Sequence, residues 1–185
     1  MKQVNEKEFA TDFLKEYNWD NAAYVNLHRC TAAMICNELH PFSVLDYGCG
    51  IGITLKPFLD FGVYCDGYDP NLYLLEHFVS RYTDLSSHFF TEEKYCFDKS
   101  YDVLFSCEVF EHMTDEEITR VMKNVKFRTF VFSSTPNKAP GFDEHWGHIN
   151  VKSGDEWILY FRQFGLKYIK NLTLPTEWTK VFQHE

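Results

Sequence analysis

The chain has 185 residues, 45% of them hydrophobic, and a net charge of −9; that is enough apolar material for one domain with a buried core and too much for a disordered segment. Lys and Arg never run beyond a residue or two, so the sequence lacks the clustered cations that grip polynucleotide phosphates, and nucleic-acid partners are disfavoured. The charged amino terminus is unlike a signal peptide, no stretch approaches a membrane span, and Cys30, Cys36, Cys49, Cys65, Cys96 and Cys107 show no C-x-x-C pairing, which predicts a cytoplasmic, non-membrane protein with reduced thiols.

Residues 6–17 and 22–39 carry apolar side chains at helical spacing, predicting a helical segment over 1–40 ahead of a core over 41–185, in a single domain. The stretch Val44-Leu45-Asp46-Tyr47-Gly48-Cys49-Gly50-Ile51-Gly52 says most about function. A strand over 43–47 runs into glycines at every second position, and a helix over 51–61 follows. Glycine supplies backbone angles that other residues resist and lets a ligand approach bare backbone. The start of the following helix offers unpaired N–H groups. The loop therefore reads as a small-molecule cradle. A nicotinamide fingerprint needs G-x-G-x-x-G, but the third position counted from Gly48 is Ile53, and an acid, Asp46, stands two residues before the first glycine. A carboxylate there repels a pyrophosphate and suits a ligand carrying an ammonium and a sulfonium.

A strand over 63–68 leads to Asp69, with Pro70 and Asn71 opening a helix over 71–82. An acid at the end of a second strand is placed to accept both hydroxyls of a ribose. Asp69 also reads as a helix cap, and Asp66 competes with it from mid-strand. A short strand near 88–91, a strand over 101–106, a helix over 114–124 and a strand over 128–134 come next. The connection 135–152 is longer than an ordinary unstructured loop; it leaves the carboxyl end of the fifth strand and carries His145, Trp146 and His148. A helix over 153–164 and strands over 166–173 and 178–184 complete the chain. Such alternation predicts a mostly parallel sheet with helices on both faces.

Val44–Gly52 and Asp69 resemble the first two motifs of the class I S-adenosylmethionine (SAM)-dependent methyltransferases. Tyr101-Asp-Val-Leu-Phe-Ser-Cys-Glu-Val-Phe-Glu-His-Met113, with its E-x-x-E-H, and Arg128–Asn137, ending in Ser-Thr-Pro-Asn, are similar to the ubiquinone/menaquinone-methyltransferase-like branch (domain types 11, 12 and 23). The resemblance spans residues 40–185. It implies an α/β, Rossmann-like class I methyltransferase fold: a seven-stranded, mostly parallel sheet with an antiparallel edge strand and helices on both faces. It implies SAM as cofactor and S-adenosylhomocysteine as product, held by Asp46, Tyr47, Gly48, Cys49, Gly50, Gly52, Asp69, Pro70, Ser106 and Cys107. An adenine-contacting acid is expected within 84–100, at Glu92 or Glu93. The amino-terminal helices become a partial lid with Tyr17, Trp19 and Tyr24 at its inner face, unless those rings simply pack.

The reaction this predicts moves a methyl group to an oxygen or nitrogen of a small-molecule acceptor. An oxygen nucleophile must lose a proton, and Glu108, His112, His145 and His148 are the candidate acid–base groups. The E-x-x-E-H spacing of Glu108, Glu111 and His112 is also similar to that of metal-dependent RNA 2′-O-methyltransferases acting on small-RNA 3′ ends. That family supplies a further histidine after Thr-Pro-Asn, which here is His145 or His148. Met113 stands where it has a second adjacent histidine, the same spacing recurs in metal-independent enzymes, and no metal is expected. The other alternative is a SAM-binding domain with a regulatory role and no transfer activity.

Overall fold

A computed structural model describes residues 11–12, 14–15, 17–77, 79 and 83–185. Its sheet has seven strands: β1 (Ser43–Tyr47), β2 (Tyr64–Tyr68), β3 (Phe89–Phe90), β4 (Ser100–Cys107), β5 (Lys126–Ser133), β6 (Leu166–Asn171) and β7 (Lys180–His184). Their order is β3-β2-β1-β4-β5-β7-β6. The first five run parallel, and β7 lies antiparallel to both β5 and β6. The antiparallel pair thus closes one edge, with β7 the reversed strand and β6 outermost. Strand order reverses between β1 and β4, so the carboxyl ends of those two strands, at Tyr47 and Cys107, border the crevice where open α/β sheets hold ligands.

Side chains alternate across the pleat, and both faces are covered, so the central strands are apolar on both sides. Val44, Val103, Val131 and Val181 face Ala32 and Ile35 of the helix Ala22–Leu39. The adjacent residues Leu45, Leu104, Phe130 and Phe182 form a row across β1, β4, β5 and β7. This row packs on the other face against Ile118, Trp157 and Phe161. Much of the aromatic content is spent there: Phe132 meets Trp157 at 5.0 Å, and Trp157 stacks on Phe161 at 5.4 Å.

Local signals place the helix ends. Asn21 caps Ala22–Leu39 by accepting the Tyr24 N–H, and His28, Thr31, Ala32 and Ile35 form its buried stripe at helical spacing. Reciprocal capping boxes, Thr114 with Glu117 and Ser153 with Glu156, start the helices Asp115–Asn124 and Gly154–Arg162.

Several predicted bounds change. The helix expected from 51 starts at Leu55, because Gly50 and Gly52 hold φ of 56° and 82°, outside helical space. The helix expected over 71–82 is Leu72–His77, with a separate turn at Thr83–Ser86; residues 78 and 80–82 lie outside the described set. The stretch 84–100 contains a short helix, Lys94–Phe97. The loop 135–152 contains another, Phe142–Trp146, bounded by Gly141 and Gly147 at φ 87° and 75°. The last two strands are shorter than expected, ending at Asn171 and starting at Lys180. Of the helix expected over 6–17, residues 11, 12, 14 and 15 are helical and Tyr17 is a bend; the other positions lie outside the described residues. No helix among the described residues is long and apolar enough to cross a membrane.

Candidate active site

The loop after β1 is held against the end of β2. The N–H groups of Gly48 and Cys49 both donate to the Tyr68 carbonyl, at 2.7 and 3.0 Å. Gly48 sits at φ 84°, and a Cβ built there falls 2.2 Å from Val109 Cγ2. Only glycine lets the loop pass beneath Val109 in that conformation. Gly67 of β2 answers it from below, since a Cβ there falls 2.8 Å from Cys49 Sγ.

Two acids flank the loop. Asp46 is 2% exposed, and its Oδ2 has no hydrogen-bond partner. Burial, with a contribution from the charge of Asp69, pushes its carboxyl up to about 8. Asp69 accepts the Gly50 N–H on Oδ2 at 3.0 Å and the Asn71 N–H on Oδ1 at 2.9 Å. Asp66, the competitor, is fully buried and already engaged: Tyr64, Lys99 and Tyr101 donate to it at 2.8, 2.7 and 2.8 Å. Pro70 is exposed beside Asp69.

Side-chain alternation separates the remaining cofactor candidates. Tyr47 points to the face opposite Asp46, where its hydroxyl donates to Glu93 Oε1 at 2.6 Å and Arg120 pairs with the same carboxylate at 2.7 Å. Glu93 is therefore occupied by protein partners, while Glu92 pairs with Lys94 in an exposed setting. The Ser106 hydroxyl donates to the Tyr47 carbonyl at 3.1 Å and ties β4 to β1. Burial and the nearby Glu108 and Glu111 charges raise the Cys107 thiol, so it is not a thiolate nucleophile at neutral pH. On the Asp46 face the Tyr24 ring lies 4.4 Å from His28 and 5.0 Å from Tyr17, which in turn meets Trp146 at 6.3 Å. His28 Nδ1 meets Thr54 Oγ1 at 2.6 Å, and burial lowers its pKa to about 4. That contact fastens the amino-terminal helix to the end of the glycine loop.

Beyond β4 the chain turns sharply at Glu108, a non-glycine residue at φ 54°. Its N–H donates to the Ser133 carbonyl at 2.8 Å, and its Oε1 accepts the Ser133 hydroxyl at 2.8 Å and the Trp178 indole N–H at 3.2 Å. These contacts hold a backbone conformation that costs about 1 kcal/mol or more. Glu111 follows in the turn Phe110–His112. It is fully buried, with its carboxyl set against the Glu108 and Ser134 side chains. Burial and the charge of Glu108 raise its carboxyl well above the usual range.

The loop after β5 folds back onto this turn. The Ile149 and Asn150 N–H groups both donate to the Glu111 carbonyl, at 2.8 and 2.9 Å, and the Asn150 amide donates to the Met113 carbonyl at 3.0 Å. His148 is thereby brought to His112, with ring centroids 4.7 Å apart. Burial and the neighbouring His148 lower His112 to about 4. His145 stays on the exposed side of the helix Phe142–Trp146 and does not join the group. Of the four acid–base candidates, the structure brings together His112 and His148, leaves Glu108 alongside, and sends His145 elsewhere. Ser133, Trp178, Thr54 and Asp143, whose Oδ1 meets His148 Nδ1 at 2.9 Å, escaped notice in the sequence. Ser133 precedes the Ser-Thr-Pro-Asn run and was the one with a signal; the others are distant in sequence from what they hold.

The fold and this site define a SAM-dependent methyltransferase. Over residues 23–171 the sequence matches the family described as "Methyltransferase domain", and the chain belongs to that family. Among solved structures it is similar to magnesium protoporphyrin IX methyltransferase of Synechocystis PCC 6803 with bound SAM, at 14% identity and a TM-score of 0.65, each chain covered in full. It is similar to DesVI of Streptomyces venezuelae at 13% identity and a TM-score of 0.70, again with both chains covered in full. The 16S rRNA methylase ArmA aligns at 13% identity and a TM-score of 0.66, over 99% of this chain and 100% of that one. No curated protein sequence matches. SAM is the cofactor, and the residues present fit it: a glycine cradle, a buried acid with an unpartnered oxygen, and a second acid tied to the loop.

Proposed function

We propose that the enzyme methylates an oxygen or nitrogen of a small-molecule acceptor, using the crevice at the carboxyl ends of β1, β4 and β5. When bound, SAM supplies a methyl group made electrophilic by its sulfonium. The protein's task is then to hold two reactants in line and, for an oxygen acceptor, to remove a proton. Asp46 takes the cationic end of the cofactor, the Gly48–Gly52 backbone lies along it, and Asp69 accepts the ribose hydroxyls. Tyr47, Ser106 and Cys107 border the cofactor through the strand ends to which they belong. Glu108, His112 and His148 face the acceptor. His112 is neutral at physiological pH, as a proton acceptor must be.

The observation that carries this reading is Asp46, a fully desolvated carboxyl with an unpartnered oxygen beside a glycine loop. Burying such a group without a partner is costly, and a cationic ligand supplies the partner. A net charge of −9 favours a small acceptor over a polynucleotide. Calorimetry with SAM and S-adenosylhomocysteine, followed by turnover on a panel of phenols, hydroxy acids and amines, tests it. Absence of SAM binding overturns the proposal. Binding without turnover on any acceptor, oligonucleotides included, points instead to a regulatory domain.

A further inference from the structure

We propose that Lys180, the Trp157 indole N–H and the first turn of the helix Gly154–Arg162 receive an acidic group, a carboxylate or a phosphate, and that the methyl acceptor carries it; the second part rests on the methyltransferase reading. Lys180 opens β7 and pairs across the ladder with Phe132, near the carboxyl end of β5. Residues directly opposite in an antiparallel pair share a face, so its side chain runs beside Phe132 under that helix. It is 8% exposed, and lysines are almost never so buried without a carboxylate. Among the described residues its ammonium has one hydrogen-bond partner, the Trp178 carbonyl at 3.3 Å, and no ion pair. An ammonium has three N–H donors, so two are left over. Burial lowers its pKa against a weaker opposing pull from the charge of Asp155. Removing an ammonium from water for one neutral acceptor is costly.

The surroundings point to the missing partner. A Cβ at Gly154 would fall 2.9 Å from Lys180 Nζ and 3.1 Å from its Cε, so glycine at the helix start is what seats the ammonium there. That sets it against the positive end of the helix dipole, a juxtaposition of like sign that an anion relieves. Ser153 takes the Glu156 N–H; the Gly154 and Asp155 N–H groups, which lack intrahelical partners, remain for a ligand. Trp157 lies one turn on, its ring 5.0 Å from that of Phe132. It is 1% exposed, and its indole N–H has no hydrogen-bond partner among the described residues, an uncommon state for a buried donor. The charges of Lys138 and Lys152 also reach this turn, at Glu156, although Lys152 is itself paired with Asp115. A chain of net charge −9 thus gathers donors and positive charge at one point, which selects an anion and rejects an amine.

Trp178 links this point to the crevice. Its carbonyl holds Lys180, and its indole N–H donates to Glu108 at 3.2 Å. Phe132 immediately precedes Ser133, the other side-chain partner of Glu108. Asp46 lies on the opposite face of the sheet, so the acid belongs to the acceptor rather than to the cofactor.

The test follows the Trp157 indole N–H, one of four indole signals, by proton–nitrogen NMR of the full chain as inorganic phosphate or benzoate is added. At least one anion should move that signal saturably, with a Kd of about 1 mM, and whichever binds tighter names the acid. Lys180→Met keeps the apolar stem and removes the ammonium. It should weaken binding at least roughly tenfold and leave the chain no less stable, because an under-partnered buried charge is gone. Gly154→Ala, whose Cβ displaces the ammonium, should weaken binding roughly fivefold. Lys167→Met, on the exposed part of β6, should change it by less than about twofold. Phenols bearing the tighter-binding acid should then turn over with a lower KM than neutral phenols, and Lys180→Met should erase the difference. Failure of both anions to move the parent signal overturns the proposal. So does binding that survives Lys180→Met, or a lower melting temperature in that variant, which would make the ammonium a structural strut. Acidic phenols that turn over no better than neutral ones, or not at all, overturn the assignment to the acceptor. SAM affinity of the parent chain, measured separately by calorimetry, tests the methyltransferase reading independently of the anion site.

Discussion

Asp46 should make SAM affinity depend on pH in a direction set by its surroundings. Burial and the charge of Asp69 push its carboxyl up to about 8, so roughly nine in ten empty molecules carry a proton there at pH 7. A cationic ligand binds the ionised form better and must expel that proton. Affinity should therefore rise about ninefold between pH 6 and 7, equivalent to about 1.3 kcal/mol, and more shallowly, about fivefold, between pH 7 and 8 as the carboxyl reaches half ionisation. The α-amino group of SAM titrates near the top of this window, with a pKa of about 8, so affinity falls again at higher pH. The empty protein behaves oppositely. A folded-state pKa above the unfolded value of 3.8 gives stability that is fully present below pH 4 and lost as pH rises through 8. Calorimetry in two buffers of different ionisation enthalpy should detect close to one proton released at pH 7. Asp46→Asn should abolish the rising limb and keep the falling one. A flat profile from pH 6 to 8, or a rising limb that survives in Asp46→Asn, would refute the reasoning.

Other consequences are open to simpler measurements. Gly48→Ala places a Cβ against Val109 at a left-handed φ and should cost roughly 2 kcal/mol of stability and at least tenfold in SAM affinity; adding Val109→Ala should recover part of the stability. Asp69→Ala should weaken SAM binding strongly and cost only about 1 kcal/mol of stability, from the Gly50 and Asn71 N–H groups it releases. Asp66→Ala should do the reverse, losing about 3 kcal/mol because Lys99 and two tyrosine hydroxyls lose a buried partner; equal effects on SAM affinity would assign the ribose to the wrong acid. Thr114→Ala removes a capping box and should lower stability by about 1 kcal/mol in chemical denaturation without altering SAM affinity.

The site depends on loops that are stitched to one another more than on any single helix. The glycine loop is fastened to β2 through Tyr68, to the amino-terminal helix through His28 and Thr54, and to Asp69 through Gly50. The turn after β4 is fastened through Ser133, Trp178 and the Glu111 carbonyl. Such contacts hold side chains on surface connections to the geometry of a rigid sheet.

How much of this was legible in the sequence follows from the range of the forces involved. The glycine spacing, the acids at 46 and 69 and the alternation of strands and helices are local signals, because backbone conformation and pleat period act over a few residues. They determined the fold and the glycine loop after β1. Helix ends were less legible where glycine conformation overrode apolar spacing, as at Leu55 and within 135–152. Other features were decided only by tertiary packing. The Tyr47 hydroxyl meets Glu93 on the face opposite Asp46 because adjacent residues of a strand point to opposite sides. Glu108 is drawn to Ser133 and Trp178, and His148 rather than His145 reaches His112, because Asp143 and the Glu111 carbonyl fold the loop back upon a turn some 37 residues earlier in the chain. Contacts between distant segments depend on the whole packed structure, and no spacing within either segment records them.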